Sequence, residues 1–481
     1  MTEGGGTRYT YDNRCEQRRS DPKGGAPSFL KRKGRQTMGV YSKEDIIRIV
    51  REEEIEFVRL QFTDIFGMLK NVAITASQIE KAVSNQCMFD GSSIEGFVRI
   101  DESDQYLYPD LKSFRVFPWR PSHGKVARLI CDVYNTDGTP FVGDPRYVLK
   151  RVIQKANDMG YDRFNVGPEA EFFLFKTDEE GKPTTQTNDE AGYFDLGPLD
   201  HGESTRREIC MALEQMDFEI EASHHECAQG QHEIDFKYAE ALHAADNIMT
   251  FKLAVKTLAQ RNGLHATFMP KPIFGVAGSG MHTNMSLFRD GKNVFYDPDG
   301  PRGLSKEAYS FIAGLLHHVR GMAAVTNPLV NSYKRLVPGY EAPCYLAWSA
   351  SNRSALIRIP ASRGQGTRVE LRSPDPSCNP YLAFAVCLAA GLDGIEKGMM
   401  PPAEITENIY AMDTAARKAH GIESLPGSLE EALRALEADQ LILDTLGEHV
   451  AANYLTGKWR EWDEYRTRVS SWEREKYIIN Y

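Results

Sequence analysis

The sequence lacks the features that mark membrane-spanning and secreted proteins. No apolar run is long enough to cross a bilayer, and the first residues contain no apolar segment typical of a secretory signal. Its eight cysteines are scattered and form no C-x-x-C pair, which favours reduced thiols over a disulfide or zinc framework. These absences predict a cytoplasmic protein without a membrane anchor.

A net positive charge is also missing outside one segment. The formal net charge is −10, which argues against direct binding to nucleic acid. Residues 1–37 are the exception, because they carry nine Lys/Arg against four Asp/Glu and few apolar side chains. Such a segment buries too little apolar surface to fold alone. We therefore expect a disordered basic N-terminal extension there.

Two patterns divide the rest of the chain. Residues 38–143 contain segments of period-two alternation, separated by Gly, Ser and Pro, which predict a small β-rich domain. Residues 144–481 combine strand patterns with long helical ones, which predicts a larger α/β domain. The chain is long enough for both domains, so the predicted fold class is α+β.

Four local expectations follow from the same patterns. We expect a loop over 86–97, short strands over 106–132, a helix over 147–159 and a single strand over 163–175.

An arginine-rich stretch, residues 352–372, holds five arginines, no lysine and one acid, Glu370. Arginine presents a planar fork that matches the oxygens of phosphate and carboxylate groups. On a strand, period two places Arg368, Glu370 and Arg372 on one face. One interpretation is an exposed ladder of ion pairs, which adds little stability. The other is a metal ligand set among groups that hold phosphate.

Acidic residues recur at short spacing in two further segments. Glu169 and Glu171 are two residues apart, and on a strand they share a face. Glu226 and Glu233 flank a glycine, so they can meet across a hairpin. Like charges this close need a cation to neutralise them. A mixed His/Glu zinc site is the alternative because three histidines lie nearby, but the H-E-x-x-H spacing is missing.

Seven motifs in order make residues 40–481 resemble glutamine synthetase of type I. They are D-G-S-S-I at 90–94, G-P-E-A-E-F at 167–172, H-H-E with Q-H-E at 224–233, G-S-G-M-H at 278–282, N-S-Y-K-R-L-V-P-G-Y-E-A-P at 331–343, N-R-S at 352–354 and R-V-E-L-R-S-P-D at 368–375. The resemblance implies a β-grasp-like N-terminal domain and a large catalytic domain. It implies ATP-dependent ligation of ammonia to L-glutamate through γ-glutamyl phosphate.

The resemblance also implies which residues form the site. It implies two Mg²⁺ or Mn²⁺ ions, one held by Glu171, Glu226 and Glu233 and the other by Glu169, His282 and Glu370. The implied ATP contacts are Glu221, Phe236, Lys237, Tyr238, Asn284, Met285, Ser286, Arg353, Arg358 and Arg368. The implied glutamate contacts are Ala277, Gly278, Arg335, Glu341, Arg353 and Arg372.

Three residues have implied catalytic roles. Asp64, supplied by a neighbouring subunit, is similar to the residue that binds and deprotonates ammonium, and Glu341 is similar to the residue that closes over the intermediate. Arg353 belongs to the group that stabilises the transferring phosphoryl. One departure is Ala277, where the family usually has Asn.

The resemblance extends to assembly and regulation. It implies a dodecamer of two hexameric rings, because the site is shared between subunits. The chain is similar to the feedback-inhibited subclass that is not adenylylated, in which Arg99 senses glutamine and a nitrogen-responsive regulator protein binds. Two alternatives remain: a γ-glutamyl ligase for an amine or polyamine, and a non-catalytic nitrogen sensor on the same fold.

Overall fold

The structure, a computed structural model, describes residues 41–94, 96, 104–120, 124–340, 342–352 and 354–481. The predicted extension at 1–37 lies outside these residues, and so do three predicted site residues, Arg99, Glu341 and Arg353.

Strands and helices alternate through most of the described chain. The strands are β1 (Ile55–Thr63), β2 (Leu69–Thr75), β3 (Cys87–Asp90), β4 (Asp104–Val116), β5 (Lys125–Asn135), β6 (Arg163–Ala170), β7 (Phe172–Thr177), β8 (Pro183–Thr187), β9 (Ile220–His225), β10 (Gln231–Phe236), β11 (Ala239–Glu240), β12 (Leu264–Thr267), β13 (Met281–Arg289), β14 (Lys292–Asn293), β15 (Trp348–Ser349), β16 (Ile357–Arg358) and β17 (Val369–Leu371). The helices are α1 (Lys43–Glu52), α2 (Ile79–Val83), α3 (Pro145–Asp158), α4 (Glu203–Gln215), α5 (Ala241–Arg261), α6 (Lys306–Thr326), α7 (Ser332–Arg335), α8 (Pro380–Glu396), α9 (Thr414–Ala419), α10 (Leu429–Glu437), α11 (Gln440–Leu446), α12 (Glu448–Arg466) and α13 (Ser471–Tyr477).

The first five strands form one sheet in the order β2-β1-β5-β4-β3. β1 and β5 run parallel at its centre, and the remaining pairs are antiparallel. Alternate residues of β1 and β5 face a core that α1 covers with Ile46 and Val50. Ser42 caps α1, and Asp45 completes a capping box.

Two sheets carry the larger part of the chain. One has the order β12-β7-β10-β9, with β8 beside β7, and the other has the order β11-β6-β13-β17-β16-β15, with β14 beside β13. Helices α6 and α8 are buried along almost their whole length and form the centre of the main hydrophobic core. None of the helices in the described part of the chain combines the length and apolar character needed to span a bilayer.

The α+β class is confirmed, but four local predictions were wrong in detail. The predicted loop at 86–97 contains the strand β3, and the short strands expected over 106–132 are two long ones, β4 and β5. The helix expected from residue 147 begins at Pro145, because Asp144 caps it and proline suits the first helical turn. The single strand expected over 163–175 is divided at Glu171 between two sheets.

Candidate active site

Four neighbouring strands, β6, β13, β17 and β16, place polar side chains on one face of the sheet that they share. His282 on β13 lies opposite Glu169 on β6, and Asn284 on β13 lies opposite Glu370 on β17. Arg358 on β16 lies opposite Glu370 in turn. Because directly opposed residues share a face of a sheet, this register brings the five side chains to the same surface.

The first cluster consists of Glu169, His282 and Glu370. One ligand atom from each lies within 4.8 Å of the others, and His282 Nδ1 is 3.5 Å from a Glu169 oxygen and 3.8 Å from a Glu370 oxygen. Burial raises the pKa of Glu169, but the hydrogen bonds and charge of His282 outweigh it and the pKa is lowered. Glu169 is therefore available as an anionic ligand.

Glu370 is fully buried, and two arginines compensate its charge. Arg358 Nε donates to one carboxylate oxygen, and Arg372 Nη1 donates to the other at 2.9 Å. The sequence predicted that Arg368, Glu370 and Arg372 share one face. Arg368 Nε donates to the Asn284 side-chain oxygen at 2.9 Å, and Asn284 lies opposite Glu370, so Arg368 meets this face through Asn284 and not through the carboxylate. Two charged hydrogen bonds in a buried setting do not match an exposed ion-pair ladder.

The second cluster is the predicted set Glu171, Glu226 and Glu233, in which Glu171 interacts through charge with both Glu226 and Glu233. Strands β9 and β10 form the predicted hairpin, in which Glu226 lies opposite Gln231 and Glu233 lies opposite His224. Glu171 Oε2 accepts hydrogen bonds from Gln231 Nε2 at 2.7 Å and from the Gly280 amide at 3.0 Å. These contacts aim Glu171 at the carboxylate face of the hairpin.

The second cluster is under strong electrostatic repulsion. Burial, together with the charge of Glu226, raises the pKa of Glu171 to about 8. Burial and the charge of Glu171 raise the pKa of Glu233 well above its ordinary value. A bound cation removes this repulsion, so the donor set fits a divalent metal ion. Oxygen donors with a single imidazole across both clusters suit Mg²⁺ or Mn²⁺ better than zinc.

The three histidines of the hairpin do not converge on one point. His224 faces the carboxylates and has its Nδ1 3.5 Å from a Glu226 oxygen. His225 and His232 face the opposite side, where they are fully buried near Asp189. Of the mixed His/Glu alternative, one histidine remains: a ligand atom of His224 lies within 4.8 Å of Glu233 and Asp235, while the alternation of the strands turns His225 and His232 to the other face.

A cavity of about 440 Å³ opens beside the first cluster. Seven of the predicted ATP contacts line it: Glu221, Phe236, Tyr238, Asn284, Met285, Ser286 and Arg368. Lys237 does not line it; its ammonium group is 3.1 Å from a Glu219 oxygen on the surface. Arg358 also lies outside the lining, because its guanidinium is directed at Glu370.

Four of the predicted glutamate contacts are described, namely Ala277, Gly278, Arg335 and Arg372, and closely packed backbone lies beside them. Arg335 is buried and donates to the carbonyls of Ser373 at 2.7 Å and Arg372 at 3.2 Å. The side chain of Ala277 packs against an apolar cluster that includes Phe173. Among the described residues, the buried Nε of Arg372 has no hydrogen-bond partner, which leaves a donor free for an anion.

Two glycines in this closely packed backbone lack space for any side chain. A Cβ at Gly278 would lie 2.3 Å from the Pro270 carbonyl oxygen, and a Cβ at Gly280 would lie 2.5 Å from Arg335 Nη2. The close approach also lets the Gly280 amide reach Glu171.

We expect Gly280→Ala to lower the free energy of unfolding by about 1–3 kcal/mol, because the added methyl displaces the buried Arg335. Urea denaturation measures the change. Gly192→Ala is the matched control, since its nearest neighbour, an Asp195 oxygen, is at an ordinary 3.7 Å. Equal stability of the two variants would contradict this account of Gly280.

Asp64 lies in the turn between β1 and β2. It accepts hydrogen bonds from the amides of Phe66 and Met68, and its carboxylate is 3.3 Å from Lys70 Nζ. Burial raises the pKa of its carboxyl, although the Met68 amide and the Lys70 charge oppose the shift. These described contacts hold Asp64 on its own hairpin, so its predicted role at a neighbouring subunit's site stays a prediction.

Two polar residues of this surface were not among the predicted site residues. Gln231 hydrogen bonds to Glu171, and Asp235 forms a further ligand-like group with His224 and Glu233 whose atoms lie within 4.8 Å of one another. Residues 231, 233 and 235 alternate along β10. Period two was therefore the signal that pointed to both.

The chain is similar to known proteins over most of its length. The family model for the glutamine synthetase catalytic domain matches residues 142–477, and the model for the glutamine synthetase β-grasp domain matches residues 54–136. A glutamine synthetase of Clostridium saccharobutylicum is 66% identical over 444 residues, which are 92% of this chain and 100% of the relative. A glutamine synthetase of Staphylococcus aureus is 59% identical over 441 residues, which are 92% of this chain and 99% of the relative.

Solved structures agree in fold. A GmaS/ADP complex is 36% identical with a TM-score of 0.82, covering 90% of this chain and 99% of its own. A Plasmodium falciparum glutamine synthetase solved by cryo-EM is 26% identical with a TM-score of 0.81, and the match covers 91% of this chain and 99% of that chain.

Proposed function

The chain belongs to the glutamine synthetase family and makes L-glutamine from L-glutamate, ammonia and ATP, and we propose that its two carboxylate clusters and adjoining cavity form the active site. The observation that carries this proposal is the register of β6, β13, β17 and β16, which gathers Glu169, His282, Glu370 and Arg358 on one surface beside the cavity.

Two divalent cations, Mg²⁺ or Mn²⁺, would be held by the two clusters. Glu171, Glu226 and Glu233 would bind one, and Glu169, His282 and Glu370 would bind the other. When bound, such ions neutralise charge on the phosphates of ATP. The family requires a divalent metal; the number of ions and the choice of metal are part of the proposal.

The cavity would hold ATP. Phe236 and Tyr238 offer aromatic surface, Glu221 and Ser286 offer polar groups, and Arg368 is placed to meet phosphate. Lys237 and Arg358 stay among the proposed contacts, although neither lines the cavity as described. Met285 and Asn284 lie on the strand between these groups.

Glutamate would bind beside Ala277 and Gly278. The free Nε donor of Arg372 and the buried charge of Arg335 suit its carboxylates. Ala277 lacks the side chain that is usual in the family, so any contact at this position would come from its backbone. Glu341 and Arg353, outside the described residues, would complete the pocket.

The reaction proceeds in two steps. Glutamate takes the γ-phosphoryl group of ATP to give γ-glutamyl phosphate, and ammonia then displaces phosphate. Arg353, Arg358 and Arg368 would stabilise charge on the transferring phosphoryl. Asp64 of a neighbouring subunit would bind ammonium and take its proton, while Glu341 would close the site against water.

Assembly and regulation follow from a site shared between subunits. We propose a dodecamer of two hexameric rings in the cytoplasm, with feedback inhibition through Arg99 and a nitrogen-responsive regulator protein as a partner. Neither an anchor in the membrane nor direct contact with nucleic acid is part of this proposal.

Phosphate release with ATP, Mg²⁺ and glutamate, with ammonium compared against methylamine, ethanolamine and putrescine, tests the acceptor. We expect kcat/KM for ammonium to exceed that for methylamine by about 10–200-fold, since one methyl group in a pocket is worth this much discrimination. Glutamine must appear in step with phosphate. Preference for an organic amine would instead make the enzyme a γ-glutamyl-amine ligase, and no turnover by the folded oligomer would favour a sensor.

A further inference from the structure

The hairpin β9–β10 has two different faces. Glu226, Gln231 and Glu233 point to the carboxylate face, as the pairing of the two strands requires. The opposite face carries Ser223, His225 and His232, and both imidazoles are fully buried. We call this second side the back face. Each of these three polar side chains contacts Asp189 or Arg206.

Asp189 holds the turn and strand β9 together. Its Oδ1 accepts hydrogen bonds from His225 Nε2 at 3.0 Å and from the Gly230 amide at 3.0 Å. Its Oδ2 accepts from Asn188 Nδ2 at 3.1 Å and from the His201 amide at 3.2 Å. A buried carboxylate with four donors is a rigid point of attachment, because leaving any donor unpaired costs free energy.

His225 continues this attachment to the backbone of Glu226. Its Nδ1 donates to the Glu226 carbonyl oxygen at 2.7 Å. Both ring nitrogens face oxygen atoms, so the imidazole bridges Asp189 and the Glu226 backbone. The chain Asp189–His225–Glu226 therefore restrains the backbone that carries a carboxylate of the second cluster.

Arg206 of α4 restrains both strands from the same side. Its Nε donates to Ser223 Oγ at 3.1 Å, and its Nη1 donates to His232 Nδ1 at 2.9 Å. Asp200 balances its charge at 2.7 Å. His232 precedes Glu233 directly, so this contact limits movement of the second hairpin carboxylate.

Backbone pairing alone holds the hairpin weakly. β9 is an edge strand, and β10 pairs with β7 at only two positions, Gln231 with Phe173 and His232 with Phe172. Glu226 and Glu233 bring two like charges to the front face of this hairpin, and like charges repel one another. Side-chain contacts on the back face must resist the separation of the strands that this repulsion favours.

The back face itself has no room for an ion. Asp189, His225 and His232 have ligand-like spacing, but a Cβ at Gly202 would lie 2.6 Å from His232 Nε2, so the backbone of α4's first turn closes that side. The guanidinium of Arg206 contacts the other ring nitrogen and repels a cation. These side chains support the hairpin and do not form a third metal site beside the two clusters.

We propose that Asp189, His225 and Arg206 are positioning residues, which hold Glu226 and Glu233 at the separation that binds one divalent cation. This rests on the proposed function in one respect, the cation at the second cluster. Residues that orient metal ligands typically change metal affinity by ~10–100-fold when they are replaced.

The test is a titration of the full oligomer with Mn²⁺. Electron paramagnetic resonance monitors the titration, counts the bound ions and resolves two Mn²⁺ affinities. We expect Asp189→Ala and Arg206→Met to weaken one ion by ~10–100-fold and to leave the other within about twofold. His225→Asn keeps a donor for the Glu226 carbonyl, so we expect it to lose less affinity than His225→Leu. Rescue of this kind distinguishes positioning from general loss of structure.

The matched control is His318→Asn. His318 is another buried histidine between two carboxylates, with Nδ1 2.8 Å from Asp439 and Nε2 3.1 Å from Asp393. It contacts neither cluster in these hydrogen bonds, so we expect both Mn²⁺ affinities to stay unchanged. Asp189→Asn, which keeps the shape of the side chain, replaces Asp189→Ala if the latter does not assemble.

Separate outcomes decide the two proposals. Equal weakening of both ions, or unchanged affinities in folded Asp189 and Arg206 variants, would overturn the positioning role. Glu226→Gln tests the metal site itself: if it leaves both affinities intact, the second cluster does not bind the cation and the proposed function fails at that point. Loss in Glu226→Gln without loss in the back-face variants overturns only the inference drawn here.

Discussion

Replacing Glu370 with alanine is expected to lower kcat by about a thousand-fold, because in the proposed site this carboxylate would hold a cation and it orients Arg358 and Arg372. It is also expected to lower the free energy of unfolding by about 1–3 kcal/mol, since the partly buried Arg358 and Arg372 lose their common hydrogen-bond acceptor and counter-charge. Steady-state phosphate release and urea denaturation measure the two effects.

Glu370→Gln separates ligation from packing. Glutamine keeps the volume and one oxygen acceptor, so we expect a smaller loss of stability than in Glu370→Ala but a comparable loss of kcat. Arg363→Met is a second control, because Arg363 lies in the same arginine-rich stretch and donates only to backbone carbonyls in its described hydrogen bonds. Normal turnover by Glu370→Ala would show that Glu370 is only a partner of the arginines.

Metal affinity should fall steeply as the pH is lowered below about 8. The metal-free protein keeps a proton on Glu171, whose pKa is raised from 4.5 to about 8, and a cation must displace that proton. Each pH unit below 8 should therefore raise Kd for Mg²⁺ at least about tenfold at this site, because the pKa of Glu233 is raised as well and a second proton must then be released. Calorimetric titration between pH 6 and pH 8.5 measures the slope and the released proton.

The same shift has a defined sign for stability. A carboxyl whose pKa is higher in the folded state stabilises the metal-free protein most below pH 4.5, and this contribution is lost as the pH rises toward 8. The increase in Tm on adding Mg²⁺ should consequently grow between pH 6 and pH 8. Glu171→Gln carries no such proton, so its Tm shift should lose most of this dependence. A Kd that is independent of pH in the unaltered protein would contradict the charge repulsion described for the second cluster.

Several elements of the site follow from spacing alone. Glu226 and Glu233 lie across a hairpin, as the glycine between them predicted, and the Gly-rich segment before His282 leads into the strand β13. Local geometry decides these features, because a turn and a period-two strand depend on neighbouring residues. The family resemblance added the implied pairing of each carboxylate with a cation, which the comparisons leave as a prediction.

Other elements depended on contacts between distant segments. Arg372 contacts Glu370, as its position on the same face predicted, but the pairing of β16 with β17 adds Arg358 as the second partner, while Arg368 donates to Asn284 on β13. Glu171 was expected on one strand with Glu169, yet the chain passes from one sheet to the other at that residue. No local pattern contains the register between strands that are remote in sequence.

The back face of the hairpin shows the same division. Local spacing alone assigns Glu226 and His224 to one face of the hairpin, His225 and His232 to the other, and Gly230 to the turn. That Asp189 and Arg206, from a loop and a helix earlier in the chain, contact those two buried histidines follows from the folded packing alone. Alternation assigns side chains to faces through local backbone geometry, whereas the partner that covers a face is chosen by the packing of the whole core.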